Sequence, residues 1–348
     1  MEFFHLSHTD LDGFGCQLIS KKIFPDGHYF NANYGLEVKT NLSAIINEIK
    51  KYKDKNVFFL ISDLNLNKDE SKILDQEIDY LNKNDFNIKL QLLDHHGSGH
   101  KSADNYDWYY LDTSRSATKI VYEYFKNNYN NFDSLCDQKF EILIEAINAV
   151  DIWIENSAYF EFGKVCLSMI AKAYEINNIL FVNENRHYRL HLLNSSLKYI
   201  NGKNAHIHLD ESIYNLKKQY LRGNQSNNTI DNLSSQYLVK LLDDKKSELT
   251  IYYKNYKGLL TFTLGGISIP ANNFLKENPD YDFFMDVSRK GKASMRANGK
   301  LDVANFAEKL ANGGGHPNAS GMAFDDWKDK VMYSDVKQYI EEKINNIS

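Results

Sequence analysis

Apolar positions along the chain fall into short continuous runs, and helix-spaced stretches lie between them. Residues 3–7, 56–62 and 88–93 have the length and apolar character of strands buried inside a sheet. Each runs toward a helical stretch. Gly13 and Gly15 open one that reaches Phe24, a second covers about 70–81, and a third covers 119–126. Phe140, Leu143, Ile144, Ile147 and Val150 then recur at helical spacing and lead to Asp151. Between about 183 and 222 the pattern is polar and helical with no strand-like run, as expected of a segment connecting domains. Residues 223–235, rich in Asn, Ser and Gln, read as a linker or loop. A second sheet signal follows, with strands expected at 249–253, 259–264, 283–288 and 293–297 and helices at 302–310 and 334–344.

Composition narrows the class. The 348 residues suffice for two domains. A hydrophobic content of 43% and a net charge of -5 describe a globular chain, not one that coats long polyanions. A short nucleic acid gripped by a local basic pocket stays compatible with that charge. Cys16, Cys136 and Cys166 are few and scattered, which fits a reducing cytosol and argues against a disulfide scaffold or a cysteine zinc site. Neither a signal peptide nor a membrane helix is expected, so the reading is cytoplasmic.

The strand-like runs end in groups that bear chemistry. The first meets His8-Thr9-Asp10-Leu11-Asp12-Gly13, the second Asp63, and the third Asp94-His95-His96-Gly97. Strand ends are where open α/β sheets place ligands. Imidazole mixed with carboxylate favours manganese, iron or zinc over calcium. In an extended backbone Asp10 and Asp12 would share one face; alternatively Asp12 caps the helix that follows. Asp151 closes a helix C-terminus, where a negative charge needs a compensating cation, a bound metal or a nearby Lys or Arg. Thr113, Ser114 and Ser116 offer N-caps to the helix after them, and a helix N-terminus beside Arg115 could also hold a phosphate. His187 and His191, at i and i+4, and His206 and His208 read as surface residues. Late in the chain, Gly313, Gly314, Gly315 and His316 exceed what a helix C-cap requires and could let backbone N–H groups converge on an anion. Arg289, Lys290, Lys292 and Arg296 form a basic patch just before them. Five carboxylates crowded without cations would repel one another, and two divalent ions bridged by Asp63 would relieve that. Such a pair can activate water and stabilise displacement at phosphorus.

Taken together, these stretches resemble a DHH-family phosphoesterase with its DHH-associated C-terminal domain. Thr113-Ser114, Ala117-Thr118, Ser294-Met295-Arg296, Asp302-Val303 and Ala319-Ser320-Gly321 also match, in the right order. The resemblance implies an α/β fold of two domains facing a cleft. A DHH domain with a mainly parallel sheet flanked by helices would span 1–182 and a helical linker 183–235. A smaller substrate-binding domain with a mixed sheet would span 236–348. It further implies two divalent ions, Mn2+ foremost. His8, Asp10 and Asp63 would hold one ion, and Asp12, Asp63, His95 and Asp151 the other. Asp63, His95 and His96 would be the catalytic set, with Asp94 orienting them from behind. Arg115, Arg289, Arg296, Gly313, Gly314, Gly315 and His316 would bind substrate. Several members carry their first histidine where this chain has Leu6, so His8, with His5 as the lesser candidate, fills that role.

Within the family the chain looks most like the nanoRNases. That implies a manganese-dependent phosphodiesterase that degrades short single-stranded RNA or dinucleotides to mononucleotides, with 3′-phosphoadenosine 5′-phosphate as a further substrate. The alternatives are a cyclic-dinucleotide phosphodiesterase, a RecJ-type single-strand DNA exonuclease, a manganese inorganic pyrophosphatase and a nucleotide-binding module with a structural metal. Polarity of degradation, RNA against DNA preference and oligomeric state, a homodimer included, stay open at this stage.

Overall fold

The structure is a computed structural model and describes residues 1–200, 202–222 and 228–347. Its contacts divide the chain into two compact units, residues 1–173 with 189–213, and residues 174–188 with 214–348.

The first unit is built on five parallel strands: β1 (Glu2–Ser7), β2 (His28–Asn31), β3 (Asn56–Ser62), β4 (Asn87–Asp94) and β5 (Tyr109–Leu111). Their order is β2-β1-β3-β4-β5. Both faces are covered, which is why the strands read as unbroken apolar runs. On one face Phe4, Leu6, Phe59, Ile61, Leu90 and Leu92 pack with Val38, Leu42, Leu74 and Ile78 from the helices Leu36–Ile49 and Lys68–Lys83. On the other, Phe3 stacks on Phe24 with ring centres 4.0 Å apart, and Phe58 meets Tyr124. The helices Leu11–Ile23, Ala117–Asn128 and Gln138–Asp151 lie on that side. The chain leaves β1 toward β2 on one side and toward β3 on the other. The carboxyl ends of β1 and β3 therefore flank the switch point, where a doubly wound sheet opens a crevice for ligands.

The second unit carries a mixed sheet of β6 (Thr250–Tyr253), β7 (Tyr256–Phe262), β8 (Phe283–Val287), β9 (Lys292–Ala297), β10 (Gly314–His316) and β11 (Ala319–Ala323), in the order β10-β11-β9-β8-β7-β6. β7 and β8 pair in parallel across the helix Ser268–Glu277; the other pairs are antiparallel. Phe262, Phe283, Met285, Met295, Phe306 and Ile340 fill its core.

Three expectations change. The linker reading of 223–235 gives way to a helix, Ile230–Leu249, capped by Thr229 and buried through Leu233, Leu238, Val239 and Leu242; residues 223–227 lie outside the described residues. The glycine run is an exposed edge strand, not a loop of convergent N–H groups. Asn312 ends the preceding helix in a left-handed conformation, and Gly314 to His316 then pair with Gly321 to Ala319. Asp10 and Asp12 do not share an extended face, because the helix begins at Leu11. Among the described residues, no helix is long and apolar enough to cross a membrane.

Candidate active site

Asp10 is the N-cap of the helix after β1, and its Oδ1 accepts the Gly13 N–H at 3.0 Å. The turn doubles back so tightly that a Cβ on Gly13 would run into the His8 carbonyl. Asp12 caps a different helix. Its two carboxylate oxygens accept the N–H groups of Ala117 at 2.8 Å and Thr118 at 2.9 Å. That helix N-terminus is thus already occupied by a carboxylate, with Ser116 as its own N-cap, and this removes the phosphate-binding alternative for it.

Asp63 follows β3 in a left-handed conformation, φ 57°, which costs a non-glycine residue about 1–2 kcal/mol. Its N–H is held by the Leu93 carbonyl at 3.1 Å, and its side chain is buried beside the first motif. Asp94 ends β4. It is fully buried, accepting the Tyr109 hydroxyl at 2.9 Å and pairing with His96 Nδ1 at 2.7 Å.

These strand ends bring together three clusters of ligand atoms. The first is His8, Asp10 and Asp63, with His8 Nδ1 2.9 Å from Asp10 Oδ2 and 3.7 Å from Asp63 Oδ2. The second is Asp12, His95 and Asp151, with His95 Nε2 3.7 Å from Asp12 Oδ2 and 3.5 Å from Asp151 Oδ2. Asp63 joins them, since its Oδ1 is 3.4 Å from His95 Nε2. The third is Asp63, His95 and His96. His5 stands apart from all three: it is buried within β1, with Nε2 2.8 Å from the Ser62 hydroxyl.

The electrostatics are those of a cation site. Burial and the neighbouring charges of Asp12 and Asp10 push Asp63 far above the ordinary carboxylate range and Asp151 up to about 9. Burial, reinforced by Asp10, also raises Asp12 against the pull of His95 and its N–H donors. Burial alone would raise Asp10, but His8 and the Gly13 N–H outweigh it and hold the group at about 2. Burial keeps His95 below its usual value, which leaves its lone pair available, whereas the Asp94 carboxylate overrides burial at His96 and raises it. A buried atom among these clusters, Asp63 Oδ2, has no hydrogen-bond partner. An orphaned carboxylate oxygen among mutually repelling acids and imidazoles is what a divalent cation would satisfy, so the donor set fits a bound metal.

Arg115 is tied up by Asp112, Glu123 and the Tyr110 hydroxyl. In the second unit, Arg296 on β9 donates to the Met295 carbonyl and to the Ser268 hydroxyl, each at 2.8 Å. Arg289 lies between β8 and β9, and its carbonyl accepts the Trp327 indole N–H at 2.8 Å. Gly313 precedes the edge strand that carries Gly314, Gly315 and His316. Sequence reasoning passed over Tyr34, whose phenol stands over the clusters from a loop after β2.

Comparison with known proteins agrees with this geometry. Residues 263–346 match the DHHA1 domain family. A Helicobacter pylori protein named 3′,5′-cyclic-nucleotide phosphodiesterase is 44% identical over 346 residues, 99% of each chain. Oligoribonuclease NrnB of Bacillus subtilis is 24% identical, over 93% of this chain and 73% of its own. The crystal structure of an uncharacterized Helicobacter pylori G27 protein, 44% identical, superposes with a TM-score of 0.90 over 99% of this chain and 100% of its own. The chain belongs to the DHH family of phosphoesterases, with a DHHA1 domain at its C-terminal end, and is a metal-dependent phosphodiesterase.

Proposed function

We propose that the chain hydrolyses the phosphodiester bonds of small nucleotides with two divalent ions, Mn2+ foremost. His8, Asp10 and Asp63 would hold one ion, and Asp12, Asp63, His95 and Asp151 the other. The observation that carries this reading is the pair of His–Asp clusters that meet at the buried, strained Asp63. When bound, such ions supply Lewis-acid stabilisation of the phosphoryl group and an activated water. The protein's part is placement. Asp94, steadied by Tyr109, orients His96 at the rim, and Asp12 ties the second cluster to a helix N-terminus.

The substrate reading has two branches. The sequence favours very short RNA and dinucleotides, with 3′-phosphoadenosine 5′-phosphate beside them, and the name of the Bacillus relative supports that branch. The name of the nearly full-length relative at 44% identity supports 3′,5′-cyclic nucleotides and moves them ahead. Residues 1–182 are proposed to carry the chemistry, 183–235 to link, and 236–348 to bind substrate through Arg289, Arg296 and residues 313–316. Arg115 is a further substrate contact to test.

The deciding experiment is a time course in manganese with 3′,5′-cyclic AMP, 5′-labelled RNAs of two to seven nucleotides and the bisphosphate nucleotide. Faster turnover of the cyclic mononucleotide is expected. A higher rate on dinucleotides would restore the short-RNA branch. Absence of turnover on every phosphodiester would overturn the reading altogether.

A further inference from the structure

Tyr34 lies outside the ligand clusters, yet its ring and hydroxyl are turned to them. Its ring centre is 5.2 Å from that of His8 and 5.9 Å from that of His96, edge-on to the latter. Its hydroxyl is 3.3 Å from His96 Nε2 and 3.5 Å from Nδ1. The residue is 43% exposed, so the phenol borders both solvent and the clusters. Such a group is within reach of a small substrate that enters from outside.

The loop is built to hold the residue there. Thr9, inside the first motif, donates its hydroxyl to Asn33 Oδ1 at 2.7 Å. Glu37 accepts both the backbone N–H and the side-chain amide of Asn33, at 2.9 and 3.0 Å. Asn31 donates to the His8 carbonyl at 3.0 Å. Gly35 then turns the chain with φ 81° into the next helix. The residues before Tyr34 are therefore fastened to the segment that carries His8 and Asp10, and Glu37 after it ties back to Asn33, while the phenol keeps an exposed side.

A phenol keeps its proton at neutral pH, so the hydroxyl is a neutral donor. The described cluster side chains supply carboxylates and imidazoles, and none of them is a neutral hydroxyl. A phosphodiester gains negative charge on its oxygens during displacement, and a placed O–H donor is worth most at that moment.

We propose that the Tyr34 hydroxyl is a catalytic hydrogen-bond donor to a phosphoryl oxygen of the substrate. It rests on the phosphodiesterase reading of the same site. The donor keeps its proton throughout and forms no covalent bond. An interaction that strengthens only in the transition state lowers kcat when lost and leaves KM nearly alone.

The test uses the full chain, Tyr34→Phe and Tyr34→Ala, with manganese and whichever phosphodiester the wild type hydrolyses fastest. Expected for Tyr34→Phe is a fall in kcat of about 100-fold with KM within about threefold. Calorimetry with Mn2+ alone should give wild-type affinity, and Tyr34→Ala should add little to the loss in kcat. A Tyr34→Phe enzyme with wild-type kcat overturns the proposal and reduces the residue to ring packing on His8. Weakened Mn2+ binding in Tyr34→Phe overturns it too, in favour of support for the metal ligands. Both outcomes leave the phosphodiesterase reading standing, whereas a wild type inert toward every phosphodiester removes that reading and this one together.

Discussion

Asp63 and Thr263 occupy equivalent backbone positions in the two units. Each follows a strand that pairs in parallel with the next one, each has φ 57°, and each gives its N–H to a carbonyl of that neighbour, Leu93 or Val287. The buried acid beside the bend differs. In the first unit it is the bent residue itself, which shares its surroundings with Asp10, Asp12 and Asp151 and leaves Oδ2 without a partner. In the second it is Asp286 on β8, whose Oδ1 takes the Thr261 hydroxyl at 2.8 Å and the Leu264 N–H at 3.1 Å. One backbone device thus serves two ends. Where the carboxylate finds donors it fastens a loop; where it lies among other acids and imidazoles it offers a ligand atom to a cation.

The largest expected effect breaks the comparison on the first side. Asparagine tolerates the left-handed backbone and keeps the volume, but it is neutral and a poor metal ligand. Asp63→Asn should lower phosphodiester hydrolysis by about 10³-fold, about 4 kcal/mol of barrier. In chelator the same variant should melt no lower than wild type, because a neutral amide replaces a buried carboxyl whose charged form its acidic neighbours disfavour. The readouts are initial rates in manganese and thermal unfolding with EDTA. A variant that keeps its rate, or that unfolds many degrees earlier without metal, would make Asp63 a structural acid like Asp286.

The second effect belongs to Asp286. Burial outweighs its donors and raises it to about 6 from an ordinary value of 3.8. A carboxyl raised in the folded state binds its proton more tightly there than in the unfolded chain. Its contribution is therefore fully present below about pH 4 and is lost as pH rises through 6. The difference amounts to about 3 kcal/mol. Relative to Asp286→Asn, which cannot titrate, wild-type stability in urea should fall between pH 4 and 7. Parallel pH profiles for the two proteins would mean that the group does not titrate in this window. At pH 4, Asp286→Ala should cost about 2 kcal/mol by stranding the Thr261 and Leu264 donors.

How much of this was legible in the sequence follows the reach of each interaction. β3 ends at Ser62 as read, and Asp63, Asp94 and His95 sit at strand ends because apolar runs mark where a buried strand stops. β2 and β5, of four and three residues, are too short for a periodic signal, so the loop with Tyr34 went unread. The partner of Asp12 lies 105 residues away, and no local rule connects an acid in one helix to the N-terminus of another. The glycines at 313–315 misled because glycine permits a nest and an edge strand alike; pairing with β11 decides, and pairing is not a local property. Residues 230–235 looked like a loop because Asn and Ser dominate them, whereas the buried spacing from Leu233 to Leu242 carries the helix.

The smallest effect sharpens the comparison at Arg115. The sequence offered it as a phosphate contact beside a helix N-terminus. In the fold Asp12 fills that N-terminus, and the guanidinium is shared among Asp112, Glu123 and Tyr110. An arginine with two carboxylate partners would have to give up at least part of that pairing to reach a substrate. Partly exposed pairs of this kind contribute about 0–1 kcal/mol. Arg115→Ala should therefore shift urea stability by less than about 1 kcal/mol. If the carboxylates hold the guanidinium throughout turnover, KM should change by less than about threefold, since only a group that touches bound substrate moves it strongly. A KM raised tenfold would show that the arginine leaves its partners for the substrate. Asp112 and Glu123 would then be its resting place, and a carboxylate with donors of its own would no longer mark a purely structural role.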